Sequence, residues 1–247
     1  MSAFSTWFRR YRPAPGARRL FVCFPHAGGS AAFYRPWAEA LGTGAEVLAA
    51  QYPGRQDRMD DPFPADLDSL AAEIAAALAP ALGRPLTLFG HSLGAAVAHE
   101  VARLLPGEVG RLVVSGRPGP GRTRRTATHL LPGPELWDAA CRLGGTPPEL
   151  AALPELRDLA LPALRADYRL SETHRPRPGP PLHCPVLACL GDRDPEVTPA
   201  EAHDWARVTD AGFRLRVFPG GHFYLVRGRD ALLREIARCP LAARAAR

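Results

Sequence analysis

The chain has no lysine and no asparagine, so all 31 basic side chains are arginine. GC-rich coding explains that bias, and the resulting formal charge of +6 also offers a basic face to an acidic partner. The arginines are scattered, and no aromatic-basic motif accompanies them, which argues against nucleic acid. No apolar run approaches the ~18–20 residues of a membrane span, and no signal-peptide pattern precedes the first apolar segment. The expected location is therefore the cytoplasm, with no membrane partner. The five cysteines, Cys23, Cys141, Cys184, Cys189 and Cys239, form no C-x-x-C pair. Cys23 and Cys189 fall inside expected strands and read as buried free thiols of a reducing compartment. Also missing are H-E-x-x-H, any histidine–cysteine spacing suited to zinc, and a P-loop. Gly116-Arg117-Pro118-Gly119-Pro120-Gly121 has the wrong glycine order for a dinucleotide fingerprint, and prolines interrupt it. Neither metal nor cofactor is expected.

What the chain does have is Leu86 to Glu100, LTLFGHSLGAAVAHE. Leu86–Phe89 reads as a short buried strand, and Ala95–Leu105 as a helix. Between them lies Gly90-His91-Ser92-Leu93-Gly94, the G-x-S-x-G pattern of a nucleophile elbow. The serine of such a turn sits in a strained backbone conformation at a helix N-terminus. Side chains in place of the flanking glycines would strike the neighbouring strand or helix.

The rest of the chain repeats the same rhythm. Residues 1–19 are basic and proline-containing, with Phe4, Trp7 and Phe8 available as anchors or an edge strand. Leu20–Phe24 is a continuous apolar run, the mark of a strand buried on both faces. Ser30 is placed to cap a helix over Ala31–Leu41. Glu46–Ala50 is a strand, and Asp66 opens an amphipathic helix carrying Leu67, Leu70, Ala71, Ile74, Ala75, Leu78 and Leu82 on one face. Arg111–Ser115 is a further strand. Strand–helix alternation of this kind implies an α/β fold with a mostly parallel sheet flanked by helices.

About seventy residues then intervene before the next strand, where a crossover needs only about a dozen. Helical patches near Pro134–Leu143 and Glu155–Leu170 (with Pro162 inside the second) make this a helical insertion. The return linker, Arg175 to Pro181, is proline-rich and stiff. The chain reads as a single domain, 1–247, with its core at about 18–116 and 184–240 and a lid at about 117–183 lying over Ser92. Pro185–Leu190, a helix over Pro199–Val208, the strand Phe213–Phe218 and a helix over Asp230–Arg238 complete it.

A serine hydroxyl needs a base within hydrogen-bond reach, and the base needs a third group to fix its tautomer. In α/β-hydrolases the order along the chain is serine, acid, histidine, each beyond the C-terminal end of a strand. Ser92 follows one strand and His222, in Pro219-Gly220-Gly221-His222-Phe223, follows the last. Asp192 and Asp194 compete for the acid. Asp194 lies further out along its loop and is favoured, with Asp192 left as a turn residue. The position after the preceding strand offers no carboxylate. The oxyanion donors are expected to be the backbone N–H of Leu93 and, from the loop after the first strong strand, that of Ala27. His26, His91 and His99 read as structural or lining residues, and His203 as a surface residue. His129, His174 and His183 have no partner visible in the sequence.

The segments FPHAGGSAAFY, QYPGRQDR, FGHSLGAAVAHE, LGDRDPEV and PGGHFYL together resemble the type II thioesterases, α/β-hydrolases that work beside polyketide synthases and nonribosomal peptide synthetases. The similarity extends over about residues 18–238. The resemblance implies hydrolysis of stalled or aberrant acyl groups from the phosphopantetheine arm of acyl or peptidyl carrier proteins, through an acyl-serine. Ser92, Asp194 and His222 fall on the family's triad positions, and Ala27 and Leu93 on its oxyanion hole. Leu93 stands where the family often has methionine, which supplies the same backbone N–H. The alternatives are a carboxylesterase or lipase acting on free esters, or an inactive hydrolase fold used for docking.

Overall fold

The computed structural model describes residues 2–122 and 126–242; residues 123–125 of the expected insertion lie outside that range. Seven strands form one sheet, in the order β1-β3-β2-β4-β5-β6-β7. They are β1 (Phe8–Arg9), β2 (Leu20–Phe24), β3 (Glu46–Ala50), β4 (Leu86–His91), β5 (Val109–Ser115), β6 (Val186–Gly191) and β7 (Phe213–Phe218). All neighbours pair in parallel except β1, which runs antiparallel to β3 at one edge. The helices are α1 (Ala3–Trp7), α2 (Arg35–Leu41), α3 (Leu67–Leu78), α4 (Leu93–Leu104), α5 (Gly133–Cys141), α6 (Pro148–Ala151), α7 (Pro154–Thr173), α8 (Pro199–His203), α9 (Tyr224–Arg227) and α10 (Arg229–Arg238).

Each central strand is mostly apolar because both faces are covered. In β2, Leu20, Val22 and Phe24 pack toward the α3 and α4 side, while Phe21 and Cys23 pack toward α2 and α10. Helix α3 starts where the sequence places it, with the Asp66 carboxylate accepting from the Ser69 N–H at 2.7 Å. The stripe expected to include Leu82 ends earlier, because Pro80 lies in a 3₁₀ turn, Ala79–Ala81, that closes the helix.

Two expected helices prove to be composite. Ala31–Tyr34 is a 3₁₀ turn before α2 begins at Arg35, and the Ser30 side chain makes no capping bond. The Ala31 N–H donates to Gln51 Oε1 at 2.9 Å instead, a partner from a distant loop that displaces the local cap. Likewise α8 ends at His203 and Asp204–Val208 continues as a 3₁₀ turn. The N-terminal segment combines both readings. Trp7 is a buried anchor under the Arg58 guanidinium, and Phe8–Arg9 is the edge strand.

Between β5 and β6 the chain leaves the sheet and forms α5, α6 and α7. Three arginines hold α7 against its surroundings. Arg117 donates to Ser171 Oγ at 2.9 Å. Arg169 donates to the carbonyls of Pro64 and Ala65 at 2.8 and 2.9 Å. Arg55 makes a buried bidentate pair with Asp167. Among the described residues no helix is long and apolar enough to cross a membrane. All five cysteines are unpaired, with Cys23 and Cys189 buried in β2 and β6.

Candidate active site

The strand order reverses direction between β2 and β4, so the loops beyond their C-terminal ends part and leave a crevice. Ser92 stands at the β4 side of it and Ala27 at the β2 side. Ser92 has φ 55° and ψ −116°, a left-handed conformation that costs a non-glycine residue of order 1–3 kcal/mol. Two close approaches enforce it. A Cβ on Gly90 would lie 2.0 Å from the Gly94 carbonyl oxygen, and one on Gly94 would lie 2.0 Å from the Phe24 carbonyl oxygen. Strand and helix therefore touch through backbone. The Ser92 N–H donates to the Ser115 carbonyl at 2.8 Å, which fixes the turn against β5.

His222 follows β7 and is 1% exposed. Its Nδ1 lies 3.0 Å from each carboxylate oxygen of Asp194, whose side chain is fully buried. A carboxylate accepts only, so Nδ1 carries the proton and Nε2 of the neutral ring is left as the basic nitrogen. Asp192 turns away and accepts from the Gly220 N–H at 2.8 Å. Ser92 and His222 line one cavity of about 560 Å³. Among the described residues the hydrogen bonds of His222 go to Asp194, and none joins Nε2 to Ser92 Oγ. Such contacts often tighten only when substrate binds.

The N–H groups expected to receive an oxyanion can be compared with their neighbours by which are already hydrogen-bonded. In the loop after β2, the Gly28 N–H donates to Asp167 at 2.7 Å and the Gly29 N–H to the His26 carbonyl at 2.9 Å. Ala27 makes no such bond, and Leu93 is the first residue of α4, where N–H groups have no intrahelical acceptor. Leu93 adjoins Ser92 at the positive end of a twelve-residue helix, and Ala27 lines the same cavity as Ser92.

His26 and His91 form the wall behind His222. The rings of His91 and His222 are 4.6 Å apart, and those of His26 and Phe223 4.8 Å. His91 Nδ1 is 3.0 Å from Ser115 Oγ, which in turn bonds Tyr224 OH at 2.8 Å. Burial, with the nearby His222 second, pushes His26 down to about 3 and His91 well below the ordinary histidine value of 6.5. Both rings are neutral in the fold and take up protons once unfolded. Their contribution to stability is therefore fully present above pH 6.5 and is lost as pH falls toward 3. The thermal midpoint should drop steadily between pH 7 and pH 5, and His91→Asn should flatten that slope. A parent protein with a pH-independent midpoint across the window would contradict the buried neutral pair.

The roof of the cavity comes from the insertion, through Ala139, Leu143, Tyr168 and Ser171. Several of its polar contacts escape the sequence because the partners are distant in the chain. His129 Nδ1 meets Glu172 at 2.5 Å, and His174 meets Glu100 at 3.3 Å. His183 pairs with Asp210 at 2.8 Å, and His99 lies against Trp205. His203 is exposed, with its ring against Phe213. The Arg55–Asp167 pair has no local sequence signal either, since the two partners are 112 residues apart. Among the described residues no cluster of His, Cys, Asp or Glu is arranged to hold a metal ion.

A sequence model of the thioesterase domain matches residues 19–239. A probable cadicidin biosynthesis thioesterase of Streptomyces griseus is 45% identical over 235 residues, spanning 94% of this chain. The chain spans 65% of that relative's length. The solved structure of BorB, the type II thioesterase from the borrelidin biosynthetic cluster, superposes with a TM-score of 0.88 at 48% identity, covering 94% of this chain and 97% of that one. YbtT, the type II thioesterase from the Yersiniabactin NRPS/PKS biosynthetic pathway, superposes with a TM-score of 0.83 at 30% identity, again over 94% of this chain and 97% of that one.

Proposed function

The chain belongs to the thioesterase domain family, and from that premise we propose that it is an editing thioesterase of polyketide or nonribosomal peptide biosynthesis. It hydrolyses stalled or aberrant acyl groups held as thioesters on the phosphopantetheine arm of an acyl or peptidyl carrier protein. The observation that carries this reading is the shared cavity of Ser92 and the Asp194-bonded His222, roofed by the helical insertion. Phosphopantetheine is part of the substrate, and the reaction needs only the side chains and N–H groups already described.

The steps follow from the tautomer. His222 Nε2 takes the Ser92 proton as Oγ attacks the thioester carbonyl carbon, and the carbonyl π pair moves onto oxygen. The N–H groups of Leu93 and Ala27 receive that oxyanion. On collapse the C–S bond breaks and His222 returns the proton to the departing thiolate, leaving an acyl-serine. Water, deprotonated by His222, attacks the ester and releases the acid and free Ser92. Loss of one oxyanion donor costs about 3–4 kcal/mol of barrier in comparable hydrolases.

A carrier partner is supported by charge. Arg142 and Arg175 line the cavity and are exposed, in a chain of net charge +6. That face complements an acidic carrier and would speed encounter at low salt. A reducing cytoplasm accords with the five unpaired cysteines.

Acyl groups loaded on carrier proteins, with hydrolysis followed by intact-protein mass spectrometry, test the reading directly. Ser92→Ala should keep the parent's thermal midpoint and lose about 10⁴-fold or more in turnover. Parent-like turnover by that variant would remove Ser92 from the mechanism. Faster cleavage of simple aryl esters than of acyl-carrier thioesters would instead make the protein a carboxylesterase.

A further inference from the structure

The loop that supplies Ala27 belongs to no strand or helix of its own. Residues His26 to Ser30 are mostly small, and the one bond inside the segment from backbone to backbone is the Gly29 N–H to the His26 carbonyl. What fixes the loop comes from elsewhere. Asp167, in the middle of α7, accepts the Gly28 N–H on Oδ2 at 2.7 Å. The same carboxylate takes a bidentate pair from Arg55 at 2.6 and 2.8 Å. Arg55 also donates to the Gly29 carbonyl at 3.0 Å. The first and third peptide groups that follow Ala27, Ala27–Gly28 and Gly29–Ser30, are thus gripped by one ion pair, whose side chains are 7% and 2% exposed. Leu164, one turn earlier on α7, lies 2.9 Å from where a Gly28 Cβ would stand, so helix and loop are in direct contact.

We infer that Asp167 and Arg55 are positioning residues for the oxyanion hole, so that the insertion completes the hole as well as roofing the chamber. The inference rests on the proposed hydrolytic mechanism. The Ala27 N–H points at the reacting oxygen only while the neighbouring Ala27–Gly28 peptide is held, and the holder is a side chain of the cover. Lifting α7 away withdraws Asp167 from Gly28 and leaves Arg55 buried without its counter-ion. Such a state is strongly disfavoured, because an uncompensated buried charge costs several kcal/mol. An open cover therefore goes with a disarmed site, and a seated cover with an armed one. Hydrolytic competence is confined to the closed enzyme.

Asp167→Asn tests this with the packing kept. At the Oδ1 position the NH₂ faces Arg55 Nη2, and at the Oδ2 position it faces both the Gly28 N–H and Arg55 Nη1, so at least one of the three bonds becomes a donor–donor contact. Kinetics on butyryl-N-acetylcysteamine should show kcat lower by about 10- to 100-fold, with KM within about threefold of the parent. A readout specific to the hole is the alkyl trifluoromethyl ketone, which Ser92 converts to a tetrahedral oxyanion adduct. Its inhibition constant should rise by the same factor as kcat falls. The matched methyl ketone, which stays trigonal, should bind the variant and the parent equally.

Two further variants guard the result. Arg55→Lys keeps the charge but loses the fork, and should show the same pattern if Asp167→Asn fails to fold. Arg169→Gln cuts the α7 bonds to Pro64 and Ala65 while leaving Asp167, Arg55 and the loop paired, and should cost far less in kcat and trifluoromethyl ketone affinity than Asp167→Asn does. The inference is overturned if Asp167→Asn and Arg55→Lys retain the parent's kcat and ketone affinity. It is equally overturned if both ketones weaken together, or if Arg169→Gln matches the loss. A parent enzyme that hydrolyses no acyl thioester would instead sink the proposed function, which separates the two failures.

Discussion

Gly94→Ala should yield little or no soluble, folded enzyme. The added carbon would stand 2.0 Å from the Phe24 carbonyl oxygen and 2.6 Å from its carbon. Neither atom belongs to a side chain that could swing aside. Phe24 closes β2, and its partner across the ladder is Gly90 of β4. Relief therefore requires moving α4 off the sheet or pulling β2 from β4, and the pair β2–β4 sits at the centre of the fold. Overpacking of this kind costs about 3 kcal/mol or more, a large share of the 5–15 kcal/mol that typically holds a domain together. Urea unfolding and labelling with a serine-directed fluorophosphonate would read it. Gly16→Ala is the control, since nothing lies within 4 Å of that added carbon; its unfolding midpoint should equal the parent's. A stable, labelled Gly94→Ala protein would mean that α4 can retreat from β2 without loss.

The same contact explains why so much of the architecture was legible. Strands buried on both faces are mostly apolar, so β2, β4 and β6 appear as largely apolar runs wherever they lie. The elbow is legible because its glycines answer a local need, the close passage of one helix over two strand ends. Boundaries were less clear. Helix α4 starts at Leu93 rather than Ala95, and β5 at Val109 rather than Arg111, because the ladder continues past the apolar stretch that marks it. The 3₁₀ turns at Ala31–Tyr34 and Asp204–Val208 have helical patterns in sequence, and only tertiary bonds such as Ala31 N–H to Gln51 select the tighter form. Least legible were contacts between distant segments. Arg55 and Asp167 are 112 residues apart, and each on its own looks like an ordinary surface charge. Nothing in periodicity marks a charge that will be buried against a charge on another element. That Ser92, Asp194 and His222 lie beyond strand ends was readable from topology; the buried pairing of Arg55 with Asp167 was not.

Asp194→Asn should lower kcat/KM by about 10⁴-fold while leaving the protein folded. The argument is one of tautomers rather than of lost attraction alone. Asp194 presents two oxygens to Nδ1 of His222, each at 3.0 Å, in a pocket closed to water. The amide of asparagine can keep its oxygen on the Glu196 N–H, the bond that Asp194 Oδ1 makes at 2.9 Å. Its NH₂ then faces His222 and demands an acceptor. Nδ1 can accept only by giving up its proton, which moves to Nε2. The nitrogen meant to take the Ser92 proton becomes a donor, and the imidazolium that forms during attack loses its counter-charge. A factor of 10⁴ corresponds to about 5 kcal/mol of barrier. Asp192→Asn provides the contrast. Its carboxylate is exposed, accepts a single backbone N–H from Gly220 and pairs loosely with Arg193 at 3.5 Å. Losing that arrangement costs about 1 kcal/mol of stability, and turnover should stay within a few-fold of the parent. Single-turnover release of acyl groups from a carrier protein, measured for both variants, ranks the two carboxylates. If Asp192→Asn proves the more damaging, the acid that orients His222 is the one at the turn and not the one buried beside the ring.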